Sequence, residues 1–393
     1  MNTSRFTNTC CRLVWPLAAA IFLSMFVGCT SKRQPAPHSQ IKDPAMLRAI
    51  HWLERAQDVN PGPGGVSYYY RLGLFGGWNR NDYKEVTGYI IETFLNLAET
   101  YKDEELKRRA LKMADWEVTV QDSEGSWHRI VFDTGQVMIG LARAWEVTKN
   151  PAYRKSLVAA GDWLINEQND DGSWTKHSLQ NIKHSYHSRV AWGLLRTWQI
   201  TSDERYRQSA IRNLDWVVSR QLKNGWIHDT GIGLDEEEVP LTHAIAYTAS
   251  GLLESGLILG NERYIDAACK TADALLKVQK EDGSLTGGRY RSDWSVYDSA
   301  QCLTGDAQTS IVWLELYHHT GDAKYLDAAI RMNRYLRQKQ AMSDNPDIDG
   351  GIFGSEPITG SYCPNQLLPW AAKFFIDALY LEQLYAEKSS ALN

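Results

Sequence analysis

Six times along this chain an aromatic or small residue is followed five positions later by glutamine: Trp52/Gln57, Trp116/Gln121, Trp163/Gln168, Trp216/Gln221, Ala274/Gln279 and Tyr335/Gln340. Each glutamine closes an amphipathic stretch and opens a glycine-marked turn, as at Gly125-Ser126-Trp127, Gly172-Ser173-Trp174, Gly225-Trp226 and Gly350-Gly351. Such self-similarity means one supersecondary unit copied in series, and it constrains the fold before any local propensity does. A repeat that runs from Trp52 to Gln340 without a linker argues for a single domain over residues 44–393.

Apolar periodicity between the turns predicts twelve helices, near 44–57, 85–101, 103–121, 133–148, 151–168, 185–200, 203–221, 242–259, 261–280, 306–319, 322–340 and 365–386. Short links such as Thr201-Ser202-Asp203 and Gly321-Asp322 alternate with long glycine-bearing connections, so neighbouring helices run antiparallel as hairpins. One helix of each pair carries a charged face; the other is apolar or small nearly all round, as in Gln136 to Ala142 and Ala246 to Leu253. Six such pairs describe an all-α (α/α)6 toroid, with outer and inner helix rings. An open solenoid is the competing architecture, but its inner helices would not all be this apolar. Gly140, Gly193 and Gly251 fall at one equivalent inner-helix position, where backbones can approach closely.

Residues 1–28 read as an export signal: Arg5 and Arg12 precede the apolar stretch Leu13 to Val27, which is shorter than the roughly 20 residues a spanning helix needs. The end of that stretch, Phe26-Val27-Gly28-Cys29, resembles a bacterial lipobox, which implies lipidation at Cys29. Thr30 follows where an aspartate would favour inner-membrane retention, so the periplasmic face of the outer membrane is the expected location. Residues 29–43 then serve as a flexible tether. Losing Arg5 and Arg12 moves the formal charge from -5 to -7, which argues against nucleic acid as a partner. Cys269, Cys302 and Cys363 form no framework; free thiols are the default, with a Cys302–Cys363 bridge as the alternative.

In a toroid the six long loops and the inner-helix N-termini converge on one end, which makes that end the expected pocket. The loops deliver rings there, Trp127, Trp174 and Trp226 among them, as platforms for sugars, with plugging of the turns as core the competing role for each. Counting back from equivalent outer-helix positions places Tyr89, Gln136, Arg189, Tyr247 and Gln308 at one inner-helix register, where they should ring the cavity. Two residues earlier that register holds His187 and Asp306, and Glu85, Asp133, His184 and His243 lie at the mouth. Glu85, Asp133 and Asp306 supply carboxylates for general acid and base work in glycoside hydrolysis. For Asp133 and Asp306 helix capping is the competing role. His187 or His243 with Tyr247, Arg189 and Asn365 suits proton abstraction next to a uronate carboxylate, a lyase or epimerase chemistry. Lys373, costly if buried alone, should face the cavity or a carboxylate. No cofactor or metal is expected: His184 and His187 lack a third ligand, and Asp235-Glu236-Glu237-Glu238 reads as a solvated loop rather than a calcium site.

With those residues in view, the chain resembles a group of bacterial six-hairpin toroid proteins found with exopolysaccharide and capsule biosynthesis systems, the VpsJ-like group. The stretches that carry the resemblance include Glu85-Val86-Thr87-Gly88-Tyr89, Phe132-Asp133-Thr134-Gly135-Gln136, His184-Ser185-Tyr186-His187, Thr242-His243-Ala244-Ile245-Ala246-Tyr247 and Trp370-Ala371-Ala372-Lys373. The resemblance implies a polysaccharide partner in the cell envelope and leaves the reaction open. A glycoside hydrolase is the first expectation. A polysaccharide lyase or epimerase and a non-catalytic glycan-binding export factor are the alternatives; a terpenoid cyclase is disfavoured because no Asp-x-Asp-Asp motif occurs. Protein partners are not specified by the sequence.

Overall fold

A computed structural model describes residues 37–60, 62, 64–232 and 238–391, the side chains of 386–391 excepted. The signal segment, Cys29, the start of the tether and the acidic residues Asp235 to Glu237 lie outside the described residues. Twelve α-helices follow one another as expected: α1 (Pro44–Asp58), α2 (Lys84–Tyr101), α3 (Glu104–Val120), α4 (Val131–Thr148), α5 (Pro151–Glu167), α6 (Ser188–Thr201), α7 (Glu204–Ser219), α8 (Thr242–Leu259), α9 (Glu262–Lys277), α10 (Leu303–Thr320), α11 (Ala323–Lys339) and α12 (Pro369–Ala391). The ring is closed. The even-numbered inner helices pack side by side in order, and α12 returns to pack on α2. The close inner-helix approach is real: a Cβ on Gly140 would strike the carbonyl of Gly88 on α2, and one on Gly193 the carbonyl of Gly135 on α4.

The repeated glutamines stitch the outer ring. Gln168 Nε2 donates to the carbonyl of Gly172 in its own turn (3.0 Å) and to that of Ser209 on the next outer helix (2.9 Å). Gln57, Gln121 and Gln279 make the same two bonds to Gly64/Arg109, Gly125/Ser156 and Gly283/Ala328. In the fourth repeat Gln221 holds Ala267, and Thr271 Oγ1 donates to the Gly225 carbonyl. The last clasp closes the circle, because Gln340 Nε2 donates to Gly350 (3.0 Å) and to Ala45 on α1 (2.9 Å). A tyrosine–aspartate tie from α5, α7, α9 and α11 to the preceding outer helix reinforces the series, as in Tyr206 Oη to Asp162 and Tyr325 Oη to Asp273.

The two ends of the ring differ chemically. All six outer helices begin with Asp or Asn (Asp43, Asp103, Asn150, Asp203, Asn261, Asp322), whose side chains accept backbone N–H groups. Inner helices α2, α4, α6, α8 and α10 begin at Tyr83, Ile130, His187, Leu241 and Cys302 without a side-chain cap. Their positive dipole ends therefore face the long-loop end, where loop carbonyls take the first amides of α4, α8 and α10 (Val131 to His177, Thr242 to Gly288, Leu303 to Gly354). Asp133 and Asp306 are consequently not the capping residues their positions suggest; each sits inside the first turn.

Short strands absent from an all-α expectation tie the loops: β1 (Tyr70–Arg71), β2 (Gly77–Trp78), β3 (Arg289–Tyr290), β4 (Val296–Asp298), β5 (Gln301–Cys302), β6 (Ser355–Glu356) and β7 (Gln366–Leu367). β1 pairs antiparallel with β2 and with β7, so the first and last long loops are joined at the mouth. Cys269, Cys302 and Cys363 are free thiols. Among the described residues no helix is long and apolar enough to cross a membrane.

Candidate functional site

Inner helices and long loops enclose a cavity of about 650 Å³ at the long-loop end. α2 contributes Glu85 and Tyr89, α4 contributes Phe132 and Asp133, α8 contributes His243 and Tyr247, and α12 contributes Trp370. The loops add Tyr68, Asp82, Tyr83, His128, Tyr186 and Tyr362. Among the described residues no lysine or arginine lines it.

Glu85 and Asp133 stand in the first turns of adjacent inner helices and are only 8% and 6% exposed. Burial, and then the charge of Asp133, push the Glu85 carboxyl up to about 8; the bond donated by Tyr83 Oη (2.7 Å) opposes that rise without cancelling it. Burial also raises Asp133, against the pull of His128, whose Nδ1 lies 2.9 Å from Asp133 Oδ2. Two carboxyls buried in one pocket resist ionising together, so at neutral pH the pair carries a proton, with Glu85 its holder.

His243 Nδ1 donates to Gln308 Oε1 at 2.7 Å, which fixes the tautomer and leaves Nε2 as a lone-pair acceptor. Burial pulls this imidazole down to about 4, so it is neutral under ordinary conditions. Its ring lies 4.4 Å from that of Tyr247 and 5.7 Å from that of Tyr362. Tyr247 Oη is buried without a hydrogen-bond partner. Above the carboxylates Tyr68 stacks on Tyr83 at 4.0 Å, and Trp370 packs edge-on against both.

The expected ring of polar residues divides. Glu85, Tyr89, Asp133, His243 and Tyr247 meet in the cavity; the other expected residues do not line it. His187 is packed among Trp174, Phe132, Tyr186 and His184, with neither ring nitrogen bonded. Asp306 is wholly buried with both oxygens unpartnered, and burial pushes it up to about 8. His184 is fixed between the carbonyls of Leu179 and Gly231 at 2.9 Å each, which makes it a loop fastener. Gln136 and Gln308 are buried partners of Arg189 and His243.

Arg189 and Lys373 sit below the floor. Arg189 donates to Gln136 and Ser250, and its guanidinium lies 4.9 Å over the Tyr247 ring. Lys373 pairs with Asp377 at 2.6 Å. Both line a second, separate cavity of about 220 Å³. Asn365 fastens the loop before α12 through its backbone, accepting from Leu72 and donating to Ile358. The loop tryptophans are core, not platforms: Trp127, Trp174 and Trp226 are buried, and the first two donate their indole N–H to the carbonyls of Glu117 and Leu164.

Residues the register missed are the loop aromatics Tyr68, Tyr83, Tyr186 and Tyr362, together with His128. Their positions depend on loop paths that no helical period encodes. His128 alone carried a signal, since it follows the turn motif Gly125-Ser126-Trp127 and takes a left-handed φ of 57° that aims it back at Asp133.

A family profile for the squalene-hopene cyclase C-terminal domain matches residues 79–251. No curated protein matches the sequence. Among solved structures the chain is similar to an unsaturated glucuronyl hydrolase specific for heparin, at 16% identity and a TM-score of 0.69, covering 87% of this chain and 97% of that one. An unsaturated glucuronyl hydrolase responsible for the degradation of glycosaminoglycan, from Bacillus sp. GL1, has 18% identity and a TM-score of 0.69, with 86% and 95% covered. Cellobiose 2-epimerase from Bacillus thermoamylovorans has 14% identity and a TM-score of 0.65, with 86% and 98% covered. What this likeness establishes is the architecture: the chain is an (α/α)6 toroid with inner and outer rings of six helices each.

Proposed function

We propose that this protein is a glycoside hydrolase of the bacterial cell envelope, with Glu85 as proton donor and Asp133 as its charged partner. The observation that carries the reading is the pair of buried carboxyls on adjacent inner helices, Glu85 bonded by Tyr83 and Asp133 by His128, in an aromatic-walled cavity. A neutral Glu85 can protonate a departing glycosidic oxygen at neutral pH, while Asp133, held by His128, activates water or stabilises positive charge at the sugar ring. Flat faces of Tyr68, Tyr83 and Trp370 suit sugar rings, and the absence of lysine and arginine among the described lining residues favours neutral sugars. The activities of the similar structures, on unsaturated glucuronyl and cellobiose substrates, agree with a glycan as substrate.

The test is a panel of neutral and acidic oligosaccharides taken from exopolysaccharide and capsule. New reducing ends without ultraviolet-absorbing products are expected, with turnover lowered about 10²–10⁴-fold in Glu85→Gln and Asp133→Asn. Full activity in both variants would overturn the assignment. One observation favours a second reading: His243 is neutral, tautomer-fixed and beside Tyr247, as an epimerase base would need. Loss of activity in His243→Gln together with isotope exchange from solvent into the sugar would select it. Lipidation at Cys29 and anchoring at the outer membrane are part of the proposal; a Cys29→Ser chain should leave the membrane fraction.

A further inference from the structure

On the outer wall, remote from the cavity, three side chains converge where residues 37–43 meet α1 and α3. His38, His51 and Glu54 each present one donor atom, and these atoms all lie within 4.8 Å of one another. His38 Nε2 is 3.1 Å from Glu54 Oε1, and His51 Nδ1 is 3.1 Å from Glu54 Oε2. The two contacts fall on different oxygens of the carboxylate; donors bound to one tetrahedral zinc at about 2.0 Å stand about 3.3 Å apart, so the three donor atoms, all within 4.8 Å of one another, close on a shared ion by small side-chain rotations. The imidazole rings are 5.2 Å apart and inclined at 65°, which lets two nitrogens face one point without the rings colliding.

The surroundings are arranged as a metal site requires. His38 bonds Asp103 Oδ2 through Nδ1 (2.8 Å) and Glu54 Oε1 through Nε2 (3.1 Å), so a metal at Nε2 would displace the proton facing Glu54 while Asp103 keeps the one on Nδ1. Arg109 Nε also pairs with Glu54 Oε1 at 2.9 Å, which fixes the carboxylate's orientation. Glu54, Asp58 and Glu105 surround the Arg109 guanidinium, Arg108 also pairs with Glu105, and Asp103 adds a fourth carboxylate beside His38, so acidic groups outnumber guanidinium groups and attract a divalent cation. His38 is buried, whereas the His51 side chain is 49% exposed, which leaves a side open for water as fourth ligand.

We propose that His38, His51 and Glu54 form a Zn²⁺ site that clips the segment ahead of α1 onto the outer ring. Two imidazoles and a carboxylate are the donor set that zinc accepts, and calcium or magnesium would not choose them. The sequence gives no warning of it, since the spacing of His38, His51 and Glu54 fits no finger or helical zinc motif.

The test uses the full chain without an affinity tag and Co²⁺ as probe. One equivalent should bind with the visible absorption of a four-coordinate Co²⁺ and be displaced by Zn²⁺. His51→Ala, a half-exposed position that the fold does not need, should weaken binding at least tenfold and remove the visible bands, with its unfolding midpoint in chelator unchanged. Zn²⁺ should raise the midpoint of the parent chain and not of this variant. Glu54→Gln should also lose the ion. Should the parent chain show no such bands, or His51→Ala bind Co²⁺ as the parent does, the three residues are an ion-pair cluster and the proposal fails.

Discussion

Glu85 is held neutral at a cost that pH exposes. Its folded value of about 8 stands above the ordinary 4.5, so the native state binds the proton more tightly than the unfolded chain does. That contribution is complete below pH 4.5 and is lost as pH rises towards 8, amounting to a few kcal/mol across the window. Glu85→Gln cannot ionise, so its unfolding midpoint relative to the parent chain should rise between pH 5 and pH 9; a constant difference would mean that Glu85 is already charged at pH 5. The residues themselves show what could be read from the sequence. Helical register put Glu85, Tyr89, Asp133, His243 and Tyr247 at one end, because the inner helices repeat their geometry. It brought His187 and Asp306 to the same end, but both are buried there outside the cavity lining, since one repeat period does not reveal which side of an inner helix meets a neighbour. The tryptophans misled for a related reason: an indole after a glycine turn looks exposed until the turn folds it under the next helix.

At the scale of elements, the glutamine clasp links a helix end, its turn and the next helix with a single amide. Gln168→Ala removes the two bonds that Nε2 donates and the two that Oε1 accepts from Ser209 Oγ and Arg212, for a cost of about 1–3 kcal/mol in denaturant unfolding. Gly172 has φ +88°, and a Cβ there would meet the Arg212 carbonyl of the next outer helix. Gly172→Ala should therefore destabilise by more than about 1 kcal/mol, through both strain and collision. A loss no larger than at an ordinary surface position would show that turn and neighbour can separate freely. Helix boundaries were legible within a few residues because Asp and Asn caps, glycine turns and apolar period all agree. The small strands were not, since two-residue pairings arise from loops meeting in space.

For the whole molecule the question is whether the join between last and first hairpins equals the joins inside the chain. Gln340 grips Ala45 as Gln168 grips Ser209, and Arg337 holds Asp43 of one terminus and Glu382 of the other at 2.9 and 3.1 Å. Gln340→Ala should then destabilise as much as Gln168→Ala and leave one cooperative transition. A negligible effect, or early melting of α1 alone, would mean that the circle frays at its join. The floor beneath the large cavity has a consequence of its own. Tyr89, Tyr247, Phe374, Arg189 and Lys373 lean on one another between the two hollows. The bore is thus a blind well rather than a tunnel: whatever enters by the mouth must leave by it, so a long polymer cannot be threaded through and a departing fragment obstructs the next arrival.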